Sequence, residues 1–91
     1  MAVCLEFELI EVIGTRAKYR FGPCLHDLDG LIELDLFKLK SGEISGDTPI
    51  NEVVKLINDN QKQGMANKVF SEVFKFFNDH NEYPARGGYY A

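Results

Sequence analysis

The stretch Val3-Cys4-Leu5-Glu6-Phe7-Glu8-Leu9 decides how the rest of the chain is read. Val3, Leu5, Phe7 and Leu9 fall on one side, and Cys4, Glu6 and Glu8 on the other. A period of two sends successive side chains to opposite faces of a strand, so this strand has one apolar face. The alternation slips through Ile10, Glu11, Val12 and Ile13, which reads as a strand end or a bulge before a turn at Gly14. A first strand over 2–13 follows.

Working outward, Thr15 to Phe21 alternates again. Ala17, Tyr19 and Phe21 form its apolar side, and Arg16, Lys18 and Arg20 its basic side. Gly30 to Leu39 reads as a third strand, with Ile32, Leu34 and Leu36 on one face and Leu31, Glu33, Asp35 and Phe37 on the other. Gly22 to Asp29 forms a loop between strands two and three. The turn signal Lys40-Ser41-Gly42-Glu43 precedes a short fourth strand at 43–46, so the count is three or four.

The polar faces match in an acid–base–acid order across the three strands. Setting Phe7 opposite Phe21 brings Leu9 to Tyr19 and Glu8 to Arg20, with opposite charges facing one another. In either register of strands two and three, Arg20 lies beside Glu33 or Asp35. The plain reading is a solvated sheet face with weak ion pairs. The functional reading is a charged docking surface that includes Arg20, Glu33 and Asp35.

The period then changes. Asp47-Thr48-Pro49 carries a capping oxygen and a proline where a missing N–H does no harm. Ile50, Val53, Val54 and Ile57 follow at helical spacing, predicting a helix over 49–62. Ala66, Val69, Phe70, Val73, Phe74 and Phe77 form a second stripe, predicting a helix over 65–80. The two stripes lie on opposite sides of one continuous helix, so a break at Gly64 is needed for both to face one core. The alternative is a helix that runs through Gly64 and packs its Phe-rich half on a second subunit. Residues 83–91 hold turn formers without periodicity and read as a loosely held tail.

The fold class is α+β: one domain over 1–82, an antiparallel three- or four-stranded meander followed by two helices packed on one face of the sheet in a two-layer sandwich. A net charge of −4 disfavours nucleic acid as a partner. No apolar run approaches the roughly 18 residues that span a membrane. The first ten residues carry Glu6 and Glu8 and no basic segment, unlike a signal peptide. These features point to the cytoplasm, where Cys4 and Cys24 would remain thiols.

Few residues suggest chemistry. Cys24, His26, Asp27 and Asp29 cluster in one loop, and the strand register brings Cys4 opposite Cys24. Thiolates and imidazole suit zinc, so Cys4, Cys24 and His26 form a candidate metal set, although a fourth ligand is missing. Cys24 with His26 also has the composition of a nucleophile and base, without an oxyanion site beside it. The competing reading is a turn flanked by small buried cysteines. Phe76 lies off the apolar stripe, with Met65 on a nearby azimuth, and the two make a candidate partner contact. Two functions follow: a non-enzymatic interaction or regulatory protein that self-associates, or a metal-binding or thiol-based protein using Cys4, Cys24 and His26.

Overall fold

Alternation in the first half of the chain produces the sheet. The computed structural model describes residues 4–45 and 47–90; the expected strand start at residues 2–3, and residues 46 and 91, lie outside it. Strands β1 (Cys4–Ile13), β2 (Arg16–Pro23) and β3 (Gly30–Leu34) run antiparallel as a meander. Phe7 pairs with Phe21, Glu8 with Arg20 and Leu9 with Tyr19, as the alternation requires. The register shifts by one residue between Leu9 and Glu11, a bulge that leaves Ile10 without an opposite number. Leu5, Phe7, Ala17, Tyr19, Phe21, Ile32 and Leu34 form the buried face.

The helices cover that face. Helix α1 (Leu36–Ser41) and the single turn α2 (Ile50–Val53) contribute Leu36 and Val53 to the core. Helix α3 (Gln63–His80) buries Ala66, Val69, Val73 and Phe77. These four recur at helical spacing, which is why the segment is a helix and which face it turns inward. Two further strands flank the meander: β4 (Lys55–Leu56) pairs with β3, and β5 (Arg86–Tyr90) with β1. The protein is therefore α+β, and the described residues form one antiparallel sheet in the order β4-β3-β2-β1-β5 and three helices.

Several expectations are corrected. The third strand stops at Leu34 instead of running to 39. Asp35 has extended backbone and accepts a hydrogen bond from the Lys38 N–H, making it the N-cap of α1, and Gly42 closes that helix at φ 89°. Of the fourth strand expected at 43–46, the described residues 43–45 are not a strand, and Ile44 turns back to donate its N–H to the Lys38 carbonyl. The helix expected over 49–62 lasts one turn. Val54 leaves it with extended backbone, and Lys55 and Leu56 join the sheet edge instead. Paired β-branched residues followed by Asn58-Asp59-Asn60 favour that exit.

A further correction concerns the tail, which is held by hydrogen bonds and forms a strand at Arg86–Tyr90. Tyr19 donates its hydroxyl to the Pro84 carbonyl at 2.7 Å. Tyr83 accepts at its hydroxyl from the Leu36 N–H and donates to the Thr15 carbonyl. Gly64 does not break a helix, since α3 begins before it at Gln63 with Lys62 as N-cap. The continuous helix is excluded along with the break, because residues 54–62 are not helical.

Candidate functional site

The metal candidates separate into two groups. The Cys24 N–H donates to the Cys4 carbonyl, so the two cysteines do face each other across the hairpin. Their sulfurs are joined in a disulfide, with Cα atoms 5.4 Å apart, and the expectation of free thiols is overturned. The physical reason is proximity: directly opposed Cβ atoms on paired strands lie within disulfide reach. Bonded to each other, neither sulfur is a thiolate that can hold zinc. His26 stands exposed in the following turn, and no three His, Cys, Asp or Glu side chains among the described residues are grouped to hold a metal ion. Disulfides persist mainly outside reducing compartments, so this one lends the cytoplasmic expectation no support.

The charged face also resolves residue by residue. Arg20 pairs with Glu8, Lys18 with Glu11 at 3.5 Å, and Arg16 with Glu33 at 3.3 Å. Arg20 lies opposite Leu31, not beside Glu33 or Asp35, because the β2–β3 register places Glu33 against Lys18. Asp35 does not belong to this surface. It is buried, accepts from the Thr15 hydroxyl and caps α1. The surface charges thus pair internally, each exposed pair contributing about 0–1 kcal/mol.

What remains unpaired is the edge of the sheet at β5. Leu9 donates its N–H to the Ala85 carbonyl, and the pairing continues from Glu8–Arg86 to Cys4–Tyr90. In an antiparallel ladder the backbone groups of alternate residues point to opposite sides. Gly87 and Tyr89 therefore address β1, whereas Arg86, Gly88 and Tyr90 aim their N–H and C=O groups away from the sheet. Among the described residues no strand lies there. The opposite edge, β4, is blunted by being two residues long.

Glycines make this edge strand fit. A Cβ on Gly87 would lie 2.7 Å from the Phe7 ring, and one on Gly88 would lie 2.3 Å from the Tyr90 hydroxyl. Phe7 fills the first vacancy from the core side and Tyr90 the second from the outer side. Two larger residues at 87 and 88 would displace both rings.

Helix α3 flanks the same edge. An open groove of about 260 Å³ runs between them, lined by Phe7, Glu72, Lys75, Phe76, Asp79 and residues 84–88 apart from Ala85. Phe76 stands off the core stripe and lays its ring against His80, with centroids 4.2 Å apart. Met65 packs instead on the margin of the core. Beyond the start of β5, β1 itself becomes the edge, and there Ile10, Val12 and Ile13 are 45–60% exposed. Val12 lies opposite the buried Ala17 and Ile13 opposite Arg16 on the outer face, so these exposed side chains divide between the two faces of β1 and do not form one patch.

The aromatic cluster behind the edge is structural. Tyr19, Phe37, Phe77 and Tyr83 meet edge-on or tilted, at centroid distances of 4.8–6.5 Å. Burial pushes the Tyr83 hydroxyl up to about 12, partly offset by its bond to the Leu36 backbone and reinforced by Asp35. Burial drives Tyr19 higher still, with Tyr83 adding to the effect.

The sequence pointed to Phe76 and missed β5. Gly87-Gly88 hid the strand, because strand propensity disfavours glycine unless a neighbouring ring fills its space. No helix among the described residues is long and apolar enough to cross a membrane. Compared with known proteins, the chain matches no family model, no curated protein and no solved structure.

Proposed function

We propose that this chain is a small protein–protein interaction domain, acting without catalysis, that self-associates through the free β5 edge and the Phe76 flank of α3. One observation supports this most. Among the described residues, no strand pairs with the outward backbone groups of β5, which lie beside a groove walled by Phe76. Proteins blunt such edges with short strands, charges or proline unless they use them. Here β4 is short but β5 is not, and Arg86 is its sole charge. Strand addition to an open edge gives main-chain hydrogen bonds, and the adjacent side chains select the partner. Light scattering at micromolar concentration is expected to show a dimer, and Phe76→Lys is expected to give a monomer of unchanged far-ultraviolet circular dichroism. A wild-type monomer, unaffected by the substitution, would remove the proposal.

A thiol-based function keeps one observation in its favour, since the disulfide lies at the exposed Cys4 on the solvent side of the sheet. Equilibration with a glutathione redox couple separates an exchange site from a staple. A staple stays oxidised through the range that reduces an exchange site, with potentials below about −300 mV.

A further inference from the structure

We infer that the second copy docks about a two-fold axis perpendicular to the sheet, with β5 pairing to β5 around Gly88 and α3 lying antiparallel to α3. This arrangement rests on the self-association proposed above and specifies its geometry.

The charge order along α3 carries the inference. Lys68, Glu72, Lys75 and Asp79 follow at spacings of four, three and four, which align them along one side of the helix. Three of the four line the groove beside β5. Their signs run plus, minus, plus, minus. A second helix laid antiparallel about the midpoint between Glu72 and Lys75 sets Lys68 against Asp79 and Glu72 against Lys75, opposite charges at every position. A parallel helix in the same alignment sets like against like. Like charges across a docked interface are strongly unfavourable, so the pattern selects the antiparallel mode.

The strand makes the same demand at the same place. Gly88 is the middle of β5, and its backbone groups point outward with those of Arg86 and Tyr90. Antiparallel pairing about Gly88 joins Gly88 to its own copy and Arg86 to Tyr90, giving about six main-chain hydrogen bonds. The Arg86 guanidinium then comes beside the Tyr90 ring, a favourable cation–aromatic pair. The centre of the charge stripe and the centre of the strand line one groove, as Glu72, Lys75, Gly87 and Gly88. One two-fold axis therefore serves both, as a closed symmetric dimer requires. Helix α3 packs most closely on β5 and β1, so the two helices come side by side over a continuous sheet.

The test uses two charge variants of the full chain. Lys68→Glu with Lys75→Glu makes the stripe wholly acidic, and Glu72→Lys with Asp79→Lys makes it wholly basic. Lys68, Lys75 and Asp79 are exposed, whereas Glu72 is half-buried and already pairs with Lys75 of its own helix at 3.5 Å, a weak pair that docking would exchange for one across the interface. Each variant alone is expected to lose self-association by at least ~tenfold, and an equimolar mixture to form a heterodimer at wild-type affinity. In parallel, wild-type dissociation should strengthen as salt is raised from about 0.05 to 0.5 M, a readout independent of how the variants fold. Two variants that each dimerise as well as wild type, or a mixture that stays monomeric, overturn the antiparallel geometry while leaving self-association standing. A wild-type chain that is monomeric throughout overturns both.

Discussion

Gly87 shows how much a single residue decides here. Its missing Cβ is the space occupied by the Phe7 ring, 2.7 Å from where that carbon would sit. Gly87→Ala is therefore expected to destabilise the protein by about 1–3 kcal/mol, the usual result of overpacking, as read from urea unfolding midpoints. Gly64 provides the contrast. It lies in the first turn of α3 with nothing within 4 Å of an added Cβ, so Gly64→Ala should stabilise by about 0.4–1 kcal/mol through the unfolded chain. Equal effects from the two substitutions would contradict this account of the edge strand. Asp35 makes a related point about sequence. It reads as an outward strand residue because it continues the alternation from Leu31 and Glu33. The signal that ends the strand was nonetheless present, as an aspartate seven residues before Gly42 bracketing a short apolar and basic run.

At the scale of elements, alternation carried the meander and its β1–β2 register, because a period of two leaves no freedom about which residues face the core. Helix α3 was legible for the same reason, through its apolar stripe. What failed were the short elements. Helix α2 and strand β4 share Ile50 to Ile57, where helical spacing and β-branched composition point in different directions. Pairing with β3 settles the matter, and that is a tertiary contact which no local pattern records. Strand β5 was hidden because its glycines are acceptable only beside Phe7 and Tyr90. The candidate site divided along the same line. Phe76 showed itself by lying off the stripe, whereas the edge it flanks required knowing where the tail goes. The Cys4–Cys24 bond belongs to this scale too, tying the start of β1 to the end of β2 across 20 residues of separation. On a chain-entropy basis its reduction should lower stability by about 3 kcal/mol. Urea titrations with and without a dithiol reductant measure this, and coincident curves would show that the bond contributes nothing.

For the whole molecule, Tyr83 is the point where separate parts meet. Its hydroxyl bonds the β1–β2 turn at Thr15 and the start of α1 at Leu36, and its ring touches Tyr19, Phe37 and Phe77. The residue also leads directly into β5, so the edge strand hangs from it. An unfolded tyrosine ionises near pH 10, while folded Tyr83 holds its proton to about 12. Between these values the folded state binds more protons, so stability should fall as pH rises from 10 to 12. Tyr83→Phe should lose about 1–3 kcal/mol at neutral pH, by leaving the Leu36 N–H without its acceptor, and should show a shallower alkaline decline. An alkaline profile identical to wild type would place the titration elsewhere. The central claim is that the β5 edge is the face on which two copies meet. Amide hydrogen exchange of wild-type protein at increasing concentration tests it most directly. The Arg86, Gly88 and Tyr90 amides, which point away from the sheet, should gain protection as concentration rises, while Gly87 and Tyr89, directed at β1, are protected throughout. Rapid exchange at Arg86, Gly88 and Tyr90 at every concentration would contradict it.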